Sequence, residues 1–165
     1  MKTNQSLQVI NQVLGFWQTN NNHISALFDK HADETYLERV APGRNTGMYI
    51  LGHLIAVSDD IFYTLGLGNT MFPELAKYLG ESEANIDHEY SIADLKNKWE
   101  AVNKKLMMDF SSQTTDWWLG RHMRVSEADF AADPSRNKLS VLLSRASHES
   151  YHGGQLIFLA GRHSA

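Results

Sequence analysis

Apolar residues recur at intervals of three and four along most of the chain, and the pattern divides it into four long segments. In the first, Leu7, Ile10, Leu14, Trp17, Ile24 and Phe28 form one stripe, with Asn21 in an inward slot. That period places the side chains on one face and predicts a helix over roughly residues 3–30. Pro42-Gly43 then punctuates the chain. Asn45 or Thr46 can cap a second helix whose stripe is Met48, Leu51, Ile55, Phe62 and Leu65, stopped by Gly66 and Gly68. Ser91, with Asp94 in the first turn, caps a third helix carrying Leu95, Trp99, Val102, Leu106 and Phe110. Asp133 before Pro134 reads as the cap and first residue of a fourth helix, ending near Gly161.

The connections constrain how these helices pack. The 32–43 link is short and favours antiparallel neighbours, whereas the 67–90 link can span a bundle at about 3.3 Å per extended residue. The second and third helices can therefore run parallel. Pro73 in "PELAKYL" predicts one or two helical turns inside that link, and residues 113–135 form another long connection. The expectation is all-α: a four-helix bundle in one domain, residues 1–165.

Composition narrows the chemistry. There is no cysteine, which excludes disulfides, thiolate ligands and a cysteine nucleophile, so any metal falls to histidine and carboxylates. A net charge of −4 with no block of Lys or Arg argues against a nucleic-acid surface. The N-terminal stretch lacks a continuous apolar core and no apolar run reaches membrane-spanning length, so the expectation is a cytoplasmic protein with no membrane partner.

The richest stretch is "HESYHGGQ", residues 148–155. His148 and His152 are four apart, so their side chains share a helix face about 5–6 Å apart and can share a metal. Leu139, Leu142, Leu143, Ala146, Ile157 and Phe158 around them mark the helix as central, and buried imidazoles need partners. Gly153-Gly154 costs about 1 kcal/mol per residue relative to Ala, which fits either close backbone approach or a weak point in the helix. His53, in "YILGHLIAV", is an inward candidate on the second helix. The three histidines can be surface groups, hydrogen-bonded core residues, or ligands; three neutral imidazoles with an open position suit a catalytic zinc. A zinc-protease H-E-x-x-H lacks its continuation, with Gln155 and Phe158 where Gly and His would stand and His163 about 16 Å further along a helix. The carboxylate-bridged di-iron pattern needs a second E-x-x-H, which is absent.

The residues "ILGHL" and "SHESYHGGQL", with the chain length and helix order, resemble the DinB-like family. That resemblance implies an up-down-down-up four-helix bundle, often a homodimer, with His53, His148 and His152 as ligands of a divalent metal, zinc or nickel. The family position before Gly154 is often basic or bulky and is Gly153 here, which changes the pocket edge and not the ligands. Characterised relatives include thiol S-transferases and thiol-dependent isomerases. The resemblance thus allows a metal-dependent transferase or hydrolase acting on a small molecule, with a low-molecular-weight thiol as one partner. The alternative is a non-catalytic, stress-related metal-binding bundle. Ligand imidazoles must be neutral, so metal is expected to be lost below about pH 6.

Other residues have two readings each. Gln155 can orient a ligand or be a packing amide. Arg145, three before His148, can anchor an anion or reach to solvent. Glu149 points about 100° from the ligand face and reads as an outer-sphere or surface group. Asp60 reads as a solvated carboxylate, Trp117-Trp118 as a cover on the bundle end, and His23, His31, His88 and His122 as ordinary polar residues.

Overall fold

The computed structural model describes residues 2–87 and 89–161; His88 and His163 lie outside the described residues. Its helices are α1 (Lys2–Lys30), α2 (Gly47–Leu65), α3 (Ile92–Ser111), α4 (Thr115–Leu119), α5 (Glu127–Ala132) and α6 (Lys138–Gly161), with 3-10 turns at Asp33–Leu37, Pro73–Leu79 and Glu83–Asn85. No strand occurs among the described residues. No helix among them is long and apolar enough to cross a membrane.

The capping chemistry sets the boundaries. The Thr46 hydroxyl accepts the Tyr49 N–H at the start of α2, and Gly66 closes that helix at φ 74°, where a side chain would be strained. Ser91 and Asp94 form a reciprocal capping box on α3. The start of the last helix differs from expectation. Asp133 caps a turn, accepting the Ser135 N–H, and Pro134 sits in that turn; α6 begins at Lys138, with Asn137 accepting the Ser140 N–H. The 113–135 connection folds into α4 and α5.

The predicted stripes meet in one core. Trp17 packs edge-on to Phe110, and Phe110 edge-on to Trp118, so Trp118 does cover that end. Leu7 is exposed: Trp17 already meets the last turn of α3 and Asn20 meets Ala146 early in α6, so the first turns of α1 outrun both neighbours. The enclosed helix is α2, with nearly every residue buried. The last helix is not the central one, because Leu143, Ile157 and Phe158 lie on its exposed face. The glycine pair does not mark a close approach either. A Cβ at Gly153 would make ordinary contact with His23 and Ile24, and one at Gly154 would meet nothing within 4 Å.

The closest approach at a glycine is at Gly52, with Gly47 against Tyr36 and Leu159 next. A Cβ at Gly52 would fall 2.5 Å from the Tyr78 ring, so only glycine lets the Pro73–Leu79 turn lie on α2. On the other side, His53 meets His148 and His152, while Asp60 meets Arg145. Thus α2 and α6 run in opposite senses, and these two helices frame the site.

Candidate metal centre

His53, His148 and His152 come together, each offering a ring nitrogen within 4.8 Å of the others. His53 Nε2 lies 3.2 Å from His148 Nε2, and His152 Nε2 lies 3.1 Å from the same atom. All three rings are half-buried.

The outer nitrogens define the tautomers. His53 Nδ1 is 2.8 Å from the Tyr78 carbonyl, which can only accept, so that nitrogen carries the hydrogen and Nε2 presents a lone pair. His152 Nδ1 is 2.8 Å from Gln155 Oε1, and the same logic leaves its Nε2 bare. Gln155 thus holds the His152 ring through this hydrogen bond. Two lone pairs therefore face His148 Nε2 at close range. A single hydrogen on that atom can serve one of these contacts but not both, whereas one cation serves all three nitrogens. Zinc with bonds of about 2.0–2.1 Å in tetrahedral geometry would hold its nitrogens roughly 3.3–3.4 Å apart, close to the spacing here. His148 Nδ1 is buried without a hydrogen-bond partner among the described residues.

Electrostatics keep the site in a ligating state. Burial pushes His148 down to about 4, helped by the neighbouring imidazoles of His152 and His53 and by Arg145. Burial also brings His152 down to about 4; the Gln155 contact opposes this and His53 adds to it. Both rings are neutral at pH 7, as ligand imidazoles must be. Among the described residues no fourth His, Asp or Glu joins the group. A cavity of about 210 Å³, lined by Arg44, Asn45, Ile50, Tyr151, His152 and Gln155, adjoins the cluster.

The neighbouring acids have other tasks than those expected. Glu149 is not a surface group: it is 2% exposed and faces α1, where the Asn21 amide donates to it at 3.3 Å. Burial pushes its carboxyl up to about 8, with the Trp17 indole and the Asn21 amide pulling the other way. Asp60 is not solvated. It pairs with Arg124 at 2.6 Å and Arg145 at 3.5 Å and accepts the Thr64 hydroxyl. Arg145 thus points away from the imidazoles, toward Asp60. Asp59, one residue earlier, accepts the backbone N–H groups of Met71 and Phe72 and ties the 67–72 loop to α2.

Sequence reasoning missed the Tyr78 carbonyl and Gly52. The apolar Leu75 and Tyr78 of "PELAKYL" signalled a segment packed on the core, but not the helix it covers. His122 shares a cavity with three arginines. His23 and His31 stay outside the cluster. No protein-family model matches the chain, and a search of curated proteins finds no match.

Proposed function

We propose that the chain binds a divalent metal through His53, His148 and His152 and uses it as the centre of a small-molecule enzyme of the thiol S-transferase or hydrolase type. The observation that carries this is the convergence of three Nε2 atoms, two of them fixed as bare acceptors by the Tyr78 carbonyl and Gln155. Three imidazoles suit zinc or nickel. A bound divalent ion would supply Lewis acidity there, activating water or holding a thiolate. The chain's own contribution is to keep His148 and His152 neutral, to hold the rings of His53 and His152 in the ligating tautomer, and to leave a cavity beside them. That cavity, with no fourth donor in the cluster among the described residues, favours catalysis over a closed structural site.

The DinB-like resemblance belongs to the same proposal, with an up-down-down-up arrangement of α1, α2, α3 and α6. Three sets of contacts support it. Trp99 meets Ser25 and Trp17 meets Phe110, setting α3 against α1. Asn20 meets Ala146 and Asn21 meets Glu149, aligning α6 with α1. The opposed senses of α2 and α6 complete the pattern. A cytoplasmic homodimer completes the reading; the exposed Tyr151, Ile157 and Phe158 on α6 are side chains that a second copy would cover.

Metal content of the untagged protein by elemental mass spectrometry, beside His152→Ala, tests the proposal. Near-stoichiometric zinc or nickel, lost in the variant, is the expected result, followed by turnover with thiol cosubstrates or simple esters and amides. Absence of bound metal, with none taken up from added zinc or nickel, would overturn the metal reading. Stoichiometric metal without turnover of any of these substrates would leave a non-catalytic metal-binding bundle.

A further inference from the structure

A second cavity, about 420 Å³, lies one to two helical turns from the histidine cluster toward the start of α6. Its walls carry His122, Arg124, Arg136 and Arg145, with hydroxyls of Ser140 and Ser144. Three guanidinium groups, with Arg124 and Arg136 about half exposed and Arg145 less so, converge on one cavity and make it electropositive. The nearby carboxylates do not balance them. Asp60 serves both Arg124 and Arg145, and Asp129 reaches Arg136 only at 4.0 Å with both side chains about half exposed. Asp133 is engaged with Ser135.

The donors are unequally spent. Arg124 gives Nε to Thr64 and Nη2 to Asp60. Arg145 makes one long contact to Asp60, and its Nε is buried without a partner among the described residues. The His122 ring accepts the Arg124 backbone N–H at Nδ1, so the neutral ring carries its hydrogen on Nε2. The first turn of α6 contributes little, because the Ser140 N–H is already taken by Asn137.

The geometry points to a binding site for a dianionic phosphate group in this cavity, held by Arg136, Arg145 and Arg124 with His122 as a neutral donor. A net excess of guanidinium charge favours a dianion over a carboxylate, and planar guanidinium groups match phosphate oxygens in pairs. The cavity exceeds a lone phosphate, so a phosphomonoester of a small molecule also fits. His122 is held below its ordinary value by burial and then by Arg136, Lys138, Arg121 and Arg124, so a bound dianion would raise it. The site uses none of the three clustered histidines and stands whether or not they hold metal.

The test is an NMR titration of the full chain with inorganic phosphate and with glycerol 3-phosphate, against chloride at matched ionic strength, following the His122 ring protons. It is run on protein as purified and after chelator treatment, beside Arg136→Gln and Arg145→Gln. Expected are saturable shifts at millimolar ligand, a higher His122 titration midpoint, and binding weakened by about tenfold in each variant. Stronger binding of the organic phosphate would identify a phosphomonoester ligand, and stronger binding of inorganic phosphate the free ion. Arg136 is half exposed, so its variant keeps the fold. Shifts no larger than those with chloride, equal binding in Arg136→Gln, or binding that disappears with the chelator would each overturn the proposal; the last would put the anion on a metal instead.

Discussion

His53 donates its Nδ1 hydrogen to the Tyr78 carbonyl at 2.8 Å, across 25 residues of chain. This bond decides which nitrogen of His53 faces the other two imidazoles. It exists because the Pro73–Leu79 turn lies directly on α2, with the Tyr78 ring over Gly52. The three-histidine cluster is thus held by backbone packing as much as by the histidines themselves.

Gly52→Ala should uncouple that arrangement. Its Cβ would overlap the Tyr78 ring, and overpacking of this kind costs roughly 1–3 kcal/mol. Displacing the carbonyl should also weaken zinc binding by about 10–100-fold, the usual effect of losing an outer-sphere partner. Gly154→Ala is the control: open space surrounds that position, and the variant should gain up to about 1 kcal/mol from helix propensity. Urea unfolding and zinc titration of both variants check the contrast; a Gly52→Ala protein with unchanged zinc affinity would remove the role assigned to Tyr78.

Gln155→Leu should leave the fold intact and weaken metal binding by about 10–100-fold, because His152 then loses the acceptor that fixes its Nδ1 hydrogen. Gln155→Glu keeps an acceptor and should retain binding. Competition with a chromophoric chelator measures both. Equal affinity in the leucine variant would reduce Gln155 to a packing amide.

Much of this was legible in the chain. Apolar period and caps located α1, α2 and α3 because local geometry dictates both, and the i, i+4 histidines had to share a face. The start of α6 failed on local competition, and the rest of what failed depended on distant neighbours. Asp133-Pro134 has the composition of a helix start, yet Asp133 is occupied by its own turn and Asn137 does the capping. Glycine cost pointed to 153–154, while the need for glycine at Gly52, beside the site, is defined by Tyr78. Asp60 looked solvated because its partners, Arg124 and Arg145, lie 64 and 85 residues away.

His148 and His152 should withdraw stability from the metal-free protein in acid. His148 and His152 sit near 4 when folded and near 6.5 when unfolded, so the unfolded chain binds more protons between those values. Stability present above pH 6.5 is therefore lost as the pH falls through that window. For the same reason, protons compete with metal at these two rings only as pH 4 is approached, lower than the unperturbed imidazole value suggests. Melting temperatures of chelator-treated protein from pH 7.5 to 4.5, with and without added zinc, follow both effects. Because Glu149 titrates in the opposite sense over this range, the decisive profile is that of a Glu149→Gln background, where a flat metal-free curve would show that the two rings are not held neutral.

Glu149 should act in the opposite direction. Its carboxyl is pushed from an ordinary 4.5 up to about 8, so the folded protein binds the extra proton between those values. The stability this contributes is complete below pH 4.5 and is lost as the pH rises through 8. A glutamine side chain at this position would be neutral at every pH and could keep the contact with the Asn21 amide. Glu149→Gln should therefore come close to the parent near pH 5 and exceed it increasingly as the pH rises to 8, by on the order of a few kcal/mol once the parent carboxylate must ionise in the core. Urea midpoints of the two metal-free proteins at pH 5, 7 and 8.5 give the comparison directly, since other titrations cancel in the difference. A gap that stays constant across that range would mean Glu149 is already ionised at neutral pH, held by Asn21 and Trp17 more tightly than their geometry implies.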